Sequence, residues 1–314
     1  MRIASIASSL YRRNFTSSFS RTMSSTTWNR LIRFVDDNGN ETFGDPVVEN
    51  DKDFSEKLAK NDLWAVEYKG QSPVAQLTKG DKVHVKAVKE LLRPADVPII
   101  RCIGLNYIKH IKEGGRTPPP YPSLFIKPST SIAGFNEDVP IPKIAQDGTI
   151  DYEGELGIVI GKSGKNITKE DALSYVAGYV VSNDVSARAW QRDPKKAGGV
   201  PQWCFSKGFD KFAPIGPLLV SPAVVGNASK LHLRTTVNGE ERQSEGTNDL
   251  LFGVEEIVSF ISQGTTLEAG TVVLTGTPCG VAMGMKEPKY LNDGDVVEVS
   301  ITELGSVKNK MVFE

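Results

Sequence analysis

The stretch Asp151-Tyr-Glu-Gly-Glu-Leu-Gly-Ile-Val-Ile-Gly161 decides how this 314-residue chain is read. It reads as a β-strand, in which successive side chains point to opposite faces. Tyr152, Leu156, Ile158 and Ile160 then share an apolar face, while Asp151, Glu153, Glu155 and Gly157 share the other. Glu153 and Glu155 repel each other and have no basic neighbour within the strand. Burying both requires a shared proton or a cation. On this segment alone, a solvated acidic face and a metal site both stand open.

Downstream, Thr168 opens a capping box with Asp171, which predicts a helix to about Tyr175. The apolar strand Val176-Ala-Gly-Tyr-Val-Val-Ser-Asn183 then ends at Asp184, and Arg188 and Gln191 follow closely. Glu153, Glu155 and Asp184 together form an oxygen-ligand set suited to Mg²⁺ or Mn²⁺. The chain has three histidines, His84, His110 and His232, too few for a histidine-rich transition-metal centre, so a hard, oxygen-ligated ion is expected. Lys207 is a candidate partner for this negative charge from outside the ligand set.

Upstream, Ile99 to Tyr107 reads as an apolar strand breaking at Gly104, followed by a helical turn from Tyr107 to Glu113. His110 and Glu113 stand at i and i+3, on one helix face. A carboxylate beside an imidazole orients it for general acid–base work, although most such pairs are surface neighbours. The loop Gly114-Gly-Arg-Thr-Pro-Pro-Pro-Tyr-Pro122 suggests a lid if a site lies beneath it, and a plain surface loop otherwise. Lys127 ends the next strand. Aimed into an acidic cleft it would hold an anionic substrate group or stabilise an enolate; otherwise it faces solvent.

Composition excludes several classes. With 39% hydrophobic and 24% charged residues the chain is an ordinary globular protein, and a net charge of −1 offers no footprint for nucleic acid or an anionic membrane. Cys102, Cys204 and Cys279 are odd in number and widely spaced, which fits a reducing compartment and no disulfide frame. Cys279 has no obvious histidine partner in the sequence, which argues against nucleophilic catalysis there. Residues 1–25 are rich in arginine and serine, lack acidic residues and carry helix-like apolar spacing, as a mitochondrial transit peptide does.

Residues 26–95 read as a small, mostly-β domain. Leu31–Val35 enters a turn where Asn38-Gly39 supplies positive φ angles. A helix follows over about 53–63, and then a hairpin pairs 64–68 with 74–77. His84 reads as a surface residue and His232 as a structural one. Near the C-terminus, 250–262 reads as a helix with Leu251, Val254, Ile257, Val258 and Ile261 buried, and Thr271 to Pro278 as a buried strand opening into a loop.

The motifs G-x-N-Y-x-x-H-x-x-E, F-x-K-P-S, D-Y-E-G-E-L-G-I-V-I-G, N-D-V-S-A-R, S-K-G-F-D and T-G-T-P-x-G, in this order over roughly residues 99–314, resemble the fumarylacetoacetate hydrolase superfamily. The extension of about sixty residues beyond the leader resembles the longer, mitochondrial branch, whose members resemble oxaloacetate tautomerases. The resemblance implies an α+β, β-rich fold, a mixed β-roll core over 96–314 preceded by the small β domain, and a homodimer. It implies Glu153, Glu155 and Asp184 as metal ligands, with His110 and Glu113 as an acid/base dyad on a lid. It also places Lys127, Arg188 and Gln191 at the substrate, Lys207 near the metal and Thr277 against a substrate carboxylate. Ala189 departs from the family, which often has an acid after the arginine, and this puts the orientation of Arg188 in doubt.

The implied chemistry is a metal-chelated 2-oxo dicarboxylate from which His110 moves a proton, with Lys127 or Gln191 on the oxygen side. Oxaloacetate tautomerisation stands first. Acylpyruvate hydrolysis and oxaloacetate decarboxylation use the same parts, and a non-catalytic dicarboxylate-binding protein is the remaining alternative.

Overall fold

The computed structural model describes residues 27–314, so the leader reading for residues 1–25 lies outside the described residues. The chain is strand-rich, as expected. One eleven-stranded sheet runs in the order 78–84, 64–69, 41–46, 30–35, 219–220, 176–183, 154–160, 272–274, 100–104 and 123–127, with Ala87–Lys89 paired beside Arg30–Val35. Its pairings are antiparallel except for Val272–Leu274 beside Ile100–Gly104. A five-stranded sheet is built from 240–246, 232–237, 296–301, 305–313 and 139–141.

The acidic strand Gly154–Ile160 is central in the large sheet and buried along its whole length, so neither of its faces is solvated. Leu156, Ile158 and Ile160 join a core that includes Leu233, Val297, Val299 and Ile301 of the smaller sheet. Val159, on the face that carries Glu155, joins a second apolar cluster with Ile100, Cys102, Val180 and Leu274. Gly157 is required by this packing, because a Cβ there would come within 2.6 Å of Val180 Cγ2.

The N-terminal segment has its own hairpins, yet Arg30 and Leu31 pair with Val220 and Leu219, so the large sheet runs from it into the rest of the chain. Its first turn works differently from the sequence reading. Only Gly39 has positive φ, and the Asp36 carboxylate accepts from the Asn38 and Asn40 amides to hold the loop. The Asn238-Gly239 turn does place both residues at positive φ. The helix is Asp51–Ala59, capped by Asn50. The partner of Trp64–Lys69 is Thr78–His84 rather than 74–77.

After Thr168 the chain forms only a 3₁₀ turn, Ala172–Tyr175, since the Thr168 hydroxyl accepts from the Asp171 amide and closes a local turn without propagating it. The helix Val254–Ile261 buries Val254, Ile257, Val258 and Ile261. No described helix is long and apolar enough to cross a membrane.

Candidate active site

The acidic strand is interrupted where its chemistry begins. Ile150–Asp151 pairs with Ser186–Ala187, and the strand resumes at Gly154, opposite Asn183. In the gap, the Glu153 amide donates to Asn183 Oδ1 at 3.0 Å, and the Asp184 amide donates to the Glu153 carbonyl at 2.8 Å. This crossing brings Glu153, Glu155 and Asp184 together, with one carboxylate oxygen of each within 4.8 Å of the others. All three are buried.

Three buried cations face this group. Lys207 Nζ lies 2.7 Å from both Glu153 Oε2 and Asp184 Oδ2 and 2.6 Å from Ser186 Oγ. Arg188 donates through Nε to Asp151 Oδ2 at 2.9 Å, pairs through Nη2 with Glu153 Oε1 at 2.6 Å, and donates through Nη1 to Gln191 Oε1 at 3.1 Å. Lys127 Nζ donates to Asp184 Oδ1 at 2.5 Å and to the Phe212 carbonyl at 2.6 Å. Lys127, expected at the substrate, is fully buried, and its ammonium is taken up by Asp184 and the Phe212 carbonyl.

Asp151 is the site residue that spacing alone did not single out. Fully buried, it accepts from Arg188 Nε and from the Ala282 and Met283 amides at 2.8 and 3.0 Å. It thereby orients the guanidinium with no acid at position 189 and pins the 281–284 turn to the floor of the cavity. Its place at the head of the Asp151-Tyr-Glu-Gly-Glu run was the available signal.

Four buried carboxylates, Asp151, Glu153, Glu155 and Asp184, thus meet three cations, Lys127, Arg188 and Lys207. Glu155 is the carboxylate left over. Its Oε2 accepts from the Gly276 amide at 2.7 Å, and no cationic side chain among the described residues forms an ion pair with it. Burial, reinforced by the charges of Asp184 and Glu153, pushes its carboxyl well above the usual range. Burial also acts against Glu153, but Lys207 and Arg188 outweigh it and bring that carboxyl down to about 2. One surplus negative charge in a cluster of hard oxygens matches a divalent cation, so the residues present fit the ion that the sequence implied.

Thr277 lies on the cavity wall, but its hydroxyl is committed on both sides. It donates to the Gly154 carbonyl at 2.9 Å and accepts from Gln243 Nε2 at 2.8 Å. Gln243, whose Oε1 also accepts from the Gly154 amide, ties the Thr277 loop to the acidic strand from the smaller sheet. Nothing in the linear sequence marked it.

The opposite wall is the short helix Ile108–Glu113. Ile111 is buried beneath it, and Lys109 moors it sideways, its amide donating to Asp249 Oδ2 and its ammonium pairing with Glu245. Glu113 Oε2 sits 3.1 Å from His110 Nδ1, so the helical i, i+3 pair is in contact. Both residues line a cavity of about 330 Å³ together with Glu153, Glu155, Arg188, Gln191 and Lys207. Arg116 and Arg192 also line it, and neither forms an ion pair among the described residues; Arg192 Nη1 rests 3.3 Å from Met283 Sδ.

Cys279 does have a histidine partner in space. Its thiol lies with His110 and Glu113, with one ligand atom of each within 4.8 Å of the others.

The family model of the fumarylacetoacetate hydrolase C-terminal region matches residues 99–312. A mitochondrial oxaloacetate tautomerase of Xenopus laevis is 44% identical over 223 residues, which is 71% of this chain and 68% of that protein. Its counterpart in Homo sapiens is 41% identical over 238 residues, covering 76% and 73% of the two chains. Among solved structures, a 2-hydroxyhepta-2,4-diene-1,7-dioate isomerase from Mycobacterium marinum superposes with a TM-score of 0.73 at 32% identity, covering 91% of this chain and 99% of that one.

Proposed function

The chain belongs to the fumarylacetoacetate hydrolase family and is an isomerase-type enzyme of it, and from that premise we propose that it interconverts enol- and keto-oxaloacetate. The observation that carries this reading is the placement of a proton-moving pair, His110 and Glu113, across one small cavity from the carboxylate cluster. We take the ion to be Mg²⁺, with Mn²⁺ able to replace it, held by Glu153, Glu155 and Asp184. When bound, it supplies the positive charge that makes a C–H beside a carbonyl acidic.

The chain's own residues do the rest. With Glu113 accepting at Nδ1–H, the imidazole presents a bare Nε2 to take a proton from the substrate carbon and return it to the enol carbon. Gln191, positioned by Arg188, faces the oxygen side. Arg116 and Arg192, two cavity-lining guanidiniums without carboxylate partners among the described residues, supply charge for the second carboxylate of a 2-oxo dicarboxylate. Lys127 and Lys207 pair with Asp184 and Glu153 and hold them in place. On the relatives' naming and the character of residues 1–25, the enzyme works in the mitochondrial matrix, as a homodimer on family likeness.

The test follows the ultraviolet absorbance of enol-oxaloacetate with the full chain, first with Mg²⁺ and then with chelator. Metal-dependent acceleration of its decay without pyruvate release is the expected result. Pyruvate release moves the activity to decarboxylation, and an unchanged enol decay overturns the reading in favour of acylpyruvate hydrolysis.

A further inference from the structure

The dyad carries a third potential ligand that the proton transfer does not use. Cys279, in the loop after Val272–Leu274, brings its sulfur into the same space as the His110 imidazole and the Glu113 carboxylate, all within 4.8 Å. We propose that His110, Glu113 and Cys279 form a second metal site, selective for Zn²⁺ and similarly thiophilic ions, whose occupation switches the enzyme off by withdrawing His110 and Glu113 from proton transfer.

The ligand set is the first argument. Nitrogen, oxygen and sulfur donors together suit a borderline-soft ion and are poor for Mg²⁺, whereas the buried carboxylates offer oxygen alone. The two sites therefore discriminate by chemistry, and the activating ion does not compete for the inhibitory site. Three protein ligands leave a fourth tetrahedral position for water.

Geometry is the second argument. Bonds of about 2.0–2.3 Å to a tetrahedral zinc put its ligands roughly 3.5 Å apart. His110 Nδ1 and Glu113 Oε2 stand at 3.1 Å and Cys279 Sγ within 4.8 Å of a ligand atom of each, so the pair opens slightly and the sulfur draws in. Glu113 also rests against the loop turn, with its Oε2 3.3 Å from where a Cβ of Gly284 would lie. The helix is followed by Gly114 and by Gly115 at φ +63°, which lets its end adjust.

Access is the third argument, and on binding the thiol proton leaves to solvent. Cys279 is half-buried, open enough for an ion to reach, whereas Cys102 is buried in the sheet.

Co²⁺ is the spectroscopic probe. Added to the full chain held in excess Mg²⁺, it is expected to give a near-ultraviolet thiolate-to-cobalt charge-transfer band that Zn²⁺ abolishes. The band should vanish in Cys279→Ser, vanish equally in Cys279→Ala, and persist in Cys204→Ser. In parallel, inhibition of enol decay by Zn²⁺ should need at least about 10-fold more metal in Cys279→Ser, while the rate without Zn²⁺ is unchanged. No band, a band that survives both Cys279 variants, or equal Zn²⁺ sensitivity in wild type and Cys279→Ser overturns the proposal. The band is read without substrate, so its failure is distinguishable from failure of the tautomerase assignment.

Discussion

The two walls of the cavity carry the same kinds of group and use them in opposite ways. On the floor, Glu153, Glu155 and Asp184 are buried and held at a strand junction, and Glu153 and Asp184 are paired with lysines and an arginine that are buried with them. On the facing wall, His110 and Glu113 ride on one six-residue helix, partly open to solvent, and pair with each other rather than with a buried cation. The floor is rigid because every buried charge must be matched there, and its mismatch of one charge is what an ion corrects. The helix is lightly held because a group that moves a proton needs access to its substrate more than it needs neutralisation. Stability and chemistry should therefore separate between the walls.

The largest expected effect breaks the floor. Lys127→Met leaves Asp184 buried with its lower oxygen unpaired, which should cost about 3–5 kcal/mol in denaturant unfolding. A loss of activity with unchanged stability would instead put Lys127 back at the substrate. Next, Glu155→Gln should lower metal-stimulated activity by about 10²–10³-fold. Without metal it should leave the fold as stable as wild type or more so, because it removes the surplus charge. Isothermal titration with Mg²⁺ beside thermal unfolding in chelator checks both halves.

On the helix side, His110→Asn should reduce turnover by about 10²-fold or more with no loss of thermal stability. A drop in melting temperature comparable to that of Lys127→Met would erase the contrast between the walls.

The smallest effect is a pH signature of the floor alone. The Glu155 carboxyl is raised in the folded chain, so the metal-free protein binds that proton more tightly than the unfolded chain does. Its stability should fall as pH rises above the ordinary glutamate range and level off once the raised value is passed. Glu153 runs the other way: its contribution is present above the ordinary range and is lost only as pH falls toward about 2. Thermal scans in chelator should show the first slope in wild type and a flat line in Glu155→Gln.

Much of the floor was legible because a strand has period two. Glu155 and the aspartate ending the next apolar strand were placed together by it, whereas Glu153 falls in the break before Gly154 and reaches them through Asn183 and Asp184. The His110–Glu113 contact was equally legible, being set by helix geometry within four residues. What the sequence hid were the meetings between distant segments. Lys127 was visible as a strand-end lysine, but only its hydrogen bonds to Asp184 and to the distant Phe212 carbonyl show where it points. Asp151 replaces an acid missing after Arg188 from 37 residues away. Gln243 and Cys279 reach the site from a second sheet and a crossover loop, for which no local spacing rule exists. The 168–175 segment failed for the converse reason: a local side-chain turn satisfied the signal that normally starts a helix.

The pairing of Leu31 with Leu219 has a consequence for the order of assembly. Among the described residues, the first strand of the large sheet emerges from synthesis about 190 residues ahead of the strand that links it toward the acidic strand. Contacts that distant are slow to close, so although Ala87–Lys89 covers Arg33–Val35 early, the Arg30–Leu31 end must wait unpaired until the chain has passed residue 220. A chain read from its N-terminus therefore carries an unformed active site until residues 276–284, which bind Glu155 and Asp151 and line the cavity, have been made.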